Sequence, residues 1–118
     1  MNMNEYQLIG TYCKYINGYN DIIGSPKIYS DSDSIKRHSL NGNNQIINMS
    51  AIFKKSDICL WDEDIVGVED YDFWLKLLTN GYVAYNVPEY LVHHRVHSES
   101  NFNTNSYDIK KIIKKYVN

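Results

Sequence analysis

The sequence has only two cysteines, Cys13 and Cys59, far apart and in no metal-ligand spacing. That argues against a disulfide scaffold and leaves free, buried thiols in a reducing compartment as the expectation. Nor is positive charge in excess. Twelve Lys and Arg stand against fourteen Asp and Glu, for a net charge of −2 and a pI of about 6.0. A general nucleic-acid binder usually carries a strongly basic patch, so no nucleic-acid partner is expected. No charged-then-apolar leader opens the chain, and no run of about 18 apolar residues is present to cross a bilayer. A cytoplasmic location follows as an expectation. GxGxxG, GxxxxGKS/T and HExxH are all missing, which removes the dinucleotide, P-loop and zincin readings.

What is present suits one compact domain over residues 1–118, at 43% hydrophobic and 22% charged residues. Gln7 to Ile16, rich in β-branched and aromatic residues, predicts a strand. Asn17-Gly18 and Gly24-Ser25-Pro26 mark turns around a short apolar piece, Ile22-Ile23. Ser30 to Asn44 is polar and predicts a loop with one short helix near Ser34 to Leu40. Gln45 to Phe53 predicts a second strand, and Lys54 to Val66 a helical turn followed by a loop. From Asp70 the period changes. Phe73, Trp74, Leu77 and Leu78 form one apolar stripe on a helix, and Gly81 sits where a helix-ending glycine belongs. Tyr82 to Val87 predicts a strand broken by Pro88, with a further extended piece over Tyr90 to Val96. The last segment, Tyr107 to Val117, places Ile109, Ile112, Ile113, Tyr116 and Val117 on one helical face and four lysines on the other. Four lysines against one aspartate between Asp108 and Lys115 give a local +3. Such a helix either docks on its own core or lies on an anionic membrane surface. Strands mixed with two or three helices define an α/β or α+β class.

Three constellations carry chemistry. Glu69, Asp70 and Asp72 crowd the start of the Phe73–Trp74 helix. The helix dipole accounts for one or two acids there. Asp70 also falls at the edge of the apolar stripe, where partial desolvation raises a carboxyl pKa toward general-base range. Next, His93, His94 and His97 fall within five residues. On an extended backbone His93 and His97 share a face but stand about 13 Å apart at ~3.3 Å per residue. They therefore do not hold one ion together, which argues against a metal-dependent hydrolase built on them. Last, DxD spacing recurs at Asp31/Asp33, Asp62/Asp64 and Asp70/Asp72, each a weak signal in a chain rich in Asp.

The order of these features resembles the C-terminal, acceptor-side half of family-two glycosyltransferases with the GT-A fold. The matching segments are Leu8-Ile9-Gly10, the Asn44–Lys55 run, the acidic Trp61–Asp64 loop, Glu69-Asp70-Tyr71-Asp72-Phe73-Trp74, Pro88-Glu89-Tyr90-Leu91 and His94-Arg95-Val96-His97. Together they cover about residues 8–100, with 106–117 as a terminal amphipathic helix. The resemblance implies a partial GT-A-like α/β fold, a mixed sheet with flanking helices, lacking the nucleotide-binding half. It implies Asp70 as general base and Glu69, Asp72 and Trp74 as acceptor-binding residues. It implies Arg95 on the donor diphosphate and His97 on a divalent metal, Mn²⁺ or Mg²⁺, whose DxD comes from a segment outside the chain. His94 stands where that family usually has Tyr. The partners so implied are a nucleotide-sugar and a glycan or other hydroxyl acceptor. A separate N-terminal polypeptide, self-association and membrane-surface contact through residues 107–117 are further expectations. The competing reading is a catalytically inactive remnant that binds a glycan or a protein.

Overall fold

The computed structural model describes residues 5–60, 69–96 and 106–117. Its elements run β1 (Leu8–Ile16), β2 (Ile22–Gly24), α1 (Ser32–Leu40), a 3-10 turn (Asn48–Ser50), β3 (Ile52–Phe53), α2 (Glu69–Thr79), β4 (Ala84–Arg95) and α3 (Ser106–Tyr116). The apolar, β-branched run of the sequence becomes β1, the organising strand. β4 pairs with it in parallel from Leu8↔Ala84 to Ile16↔Arg95 and so takes one whole edge. β3 and β2 share the other edge, both antiparallel, β3 at Leu8 and Ile9 and β2 at Tyr15 and Ile16. The result is an α/β domain with a mixed sheet and flanking helices.

Two expectations are corrected. Gln45 to Phe53 is not a strand except at its last two residues. Its backbone is claimed by local side chains: Asn44 Oδ1 accepts from Ile46 N–H at 3.2 Å, and Ser50 Oγ donates to the Ile47 carbonyl at 3.0 Å. Such bonds compete with a sheet ladder. Ser50 Oγ also accepts from Thr11 N–H at 3.0 Å, covering β1 between its two short partners. Pro88, in turn, does not end its strand. The register jumps from Thr11↔Val87 to Tyr12↔Tyr90, so Pro88 and Glu89 bulge outward and pairing resumes beyond them. A residue without an N–H is tolerated at such a bulge.

Helix α2 is buried on two sides. Phe73, Trp74, Leu77 and Leu78 join Leu8, Ile35, Ile46 and Ala84 in the main core. Tyr71 and Leu75 face the other way and form a second cluster with Ile112 of α3. Gly81 ends the helix in a left-handed conformation (φ 96°), and Tyr82 N–H reaches back to the Leu77 carbonyl at 3.1 Å. That is the Schellman closure, which a side chain at Gly81 would strain. No helix among the described residues is long and apolar enough to cross a membrane. The apolar face of α3 packs on α2, with Ile112 1% exposed.

Candidate functional site

A half-open cleft of about 920 Å³ lies toward the carboxyl ends of the parallel pair β1 and β4. Ligand sites of open α/β sheets sit at that end of the strands. Cys13 and Tyr15 of β1 and His94 of β4 form its floor. The loops before and after α1 supply Lys27, Tyr29 and the Asn43–Met49 wall. The N-terminus of α2 projects Glu69, Asp70 and Tyr71 into it, and Ile109 of α3 closes one side. Two ring pairs stiffen the walls. Tyr29 stacks on His38 at 4.3 Å, and Tyr15 meets His94 edge-on at 5.9 Å. Gln45 braces the amide-rich wall, accepting from Tyr29 N–H at 2.8 Å and donating to the Lys27 and Asn43 carbonyls at 3.3 Å.

The titratable groups of the cleft are tuned differently. Burial raises Asp70 above the ordinary carboxylate range, and the neighbouring Glu69 adds to the shift. Burial pushes the Tyr71 phenol up to about 12. Its hydroxyl donates to the Ser39 carbonyl, so it stays a neutral brace. Burial also raises the Cys13 thiol, which disfavours the nucleophilic thiolate. Of these groups Asp70 is the carboxylate whose proton affinity is raised, first by burial and then by Glu69.

Of the residues singled out by sequence, Glu69 and Asp70 reach the cleft together. Asp72 and Trp74 do not line it. Asp72 is 1% exposed and binds α3, and Trp74 is 2% exposed in the main core. Arg95 clamps the β1–β2 turn, donating to the Asn17 carbonyl at 2.7 Å and to Asn20 Oδ1 at 2.5 Å. Asp31 caps α1 by accepting from Ser34 N–H at 3.0 Å, so the Asp31/Asp33 pair is a helix start. His97 and the Asp62/Asp64 loop lie outside the described residues. Among the described residues no three His, Cys, Asp or Glu side chains gather to hold a metal. The amide wall at 43–48 was visible in sequence only as an Asn-rich run. The ring pairs needed the fold, because Tyr15 and His94 are 79 positions apart (94 − 15).

Comparison of the chain with models of known families, with curated proteins and with solved structures finds no match.

Proposed function

We propose that the chain is the acceptor side of an inverting glycosyltransferase of the GT-A type, with Asp70 as general base. One observation carries the reading: a half-buried carboxylate with a raised pKa, beside a second carboxylate, at a helix N-terminus that opens into a large cleft of mixed polar and apolar lining. In the proposed reaction an acceptor hydroxyl hydrogen-bonds Glu69 and gives its proton to Asp70. The oxygen attacks the anomeric carbon of a nucleotide-sugar, the bond from that carbon to the diphosphate breaks, and configuration inverts. Positioned general-base help is worth roughly 10²–10⁴-fold in rate. The amide wall and the Tyr15 and Tyr29 rings suit a polyhydroxyl acceptor. The family resemblance also implies a divalent cation that neutralises the leaving diphosphate. The described residues do not make up its ligand set.

A second reading, binding without turnover, draws on Arg95. The side chain assigned to the diphosphate is committed to the β1–β2 turn. Calorimetric titration with UDP, then with UDP and Mn²⁺, separates the two when paired with a transfer assay. The transferase reading expects metal-dependent UDP binding that is retained in Asp70→Asn and lost in His97→Ala, with transfer falling at least about 100-fold in Asp70→Asn. No UDP binding under any condition would mean that the donor site needs another polypeptide, whereas UDP binding with no transfer would put the binding-module reading in its place.

A further inference from the structure

Asp72 is a carboxylate in the interior that does not line the cleft. Its Oδ1 accepts from Lys115 Nζ at 2.8 Å and from Tyr116 Oη at 2.7 Å. Both donors come from the last turn of α3. A buried carboxylate is tolerated when it is paired and hydrogen-bonded, and here α3 provides the partners. The opposite part of the same helix serves the cleft. Ile109 lines it and stands over Gly42, where an added Cβ would lie 3.6 Å from Ile109 Cγ2. The apolar contacts of α3 are to the small Tyr71–Leu75–Ile112 cluster, separate from the core that holds the sheet. An isolated helix of 11 residues is marginal in water. The stability of α3 therefore comes from this docking alone.

We propose that Asp72 is a positioning residue for the cleft: through Lys115 and Tyr116 it holds α3 as a detachable wall, which opens as a unit while the sheet and α2 stay folded. Opening of this kind is a local unfolding step, below the global one in free energy. A ligand that touches Ile109 favours the docked state and is favoured by it in equal measure. The proposal stands apart from the transferase reading, since it needs no assignment of the reaction.

Native-state hydrogen exchange on the full chain tests it first. The amides of residues 109–116 are expected to open together, earlier and with weaker denaturant dependence than those of β1 and β4. If they exchange only with the global transition, the proposal is wrong. Tyr116→Phe removes one charge-assisted hydrogen bond and should raise the α3 opening about 10- to 100-fold. Tyr116→Asp sets a second carboxylate against Asp72 and should free α3 outright. Carboxyl NMR of that variant should then show the Asp70 midpoint falling toward the ordinary carboxylate range, with β1 and β4 amides still protected. The new negative charge alone would move Asp70 the other way. An unchanged Asp70 midpoint, or collapse of sheet protection, would overturn the proposal.

Discussion

Burial of Asp70 costs stability in a pH-dependent way. Its folded-state pKa is raised, first by burial and then by Glu69. Between the unfolded value, about 3.9, and the folded one, the native chain binds more protons than the unfolded chain. Stability therefore falls as pH rises through that window, and the penalty is complete above the folded pKa. Asp70→Asn removes it and relieves Glu69 as well. The stability of this variant relative to wild type should be flat in acid and should grow as pH rises through the window. Urea melts at a series of pH values measure this. A difference independent of pH would mean that Asp70 is as well solvated as a free carboxylate. The sequence placed this residue at the edge of an apolar stripe, and periodicity sufficed for that. It gave no warning that Asp72, two residues on, would turn inward, because the partner that receives it is 43 positions away.

The close approach of β4 to β1 depends on one glycine. A Cβ on Gly10 would stand 2.4 Å from Asn86 Oδ1. Asn86 is fully buried, and its Nδ2 donates to the Gln45 carbonyl at 2.8 Å and to the Tyr29 carbonyl at 3.0 Å. It has no room to retreat without releasing both, and both belong to segments that wall the cleft. Gly10→Ala should cost about 1–3 kcal/mol, as overpacking does, read as a drop in the urea midpoint with unchanged slope. Wild-type stability in this variant would show that Asn86 is not a fixed brace. A glycine in a strand pattern hints at close approach, but only the register, which sets Gly10 opposite Asn86, says to what.

Considered as a whole, the molecule leaves apolar surface uncovered on its sheet. Ile22 and Ile23 are 57% and 55% exposed on β2, and Leu91 is 62% exposed on β4. Among the described residues no strand pairs with the far edge of β4. Open edges with apolar side chains promote association. Sedimentation velocity over micromolar to high-micromolar concentrations should show reversible self-association, weakened by Ile22→Lys with Leu91→Lys. A monodisperse monomer throughout would remove the idea that this face expects a partner.

Sequence alone determined what depends on neighbours along the chain. The β-branched run of β1, the 3.6-residue stripe and terminal glycine of α2, and the amphipathic period of α3 are all local signals, and each element formed. The carboxylate pair at the start of α2 was legible for the same reason. What tertiary structure decided depends on distant partners. The Ser50 hydroxyl took the Thr11 N–H of β1, 39 positions away, which a strand at 45–51 would have paired. Pairing with β1 carried β4 past Pro88. The docking of α3 drew Asp72 away from the cleft while Asp70 remained in it. Helix periodicity set these two carboxylates about 200° apart, and burial by elements remote in sequence decided which of them faces the cleft.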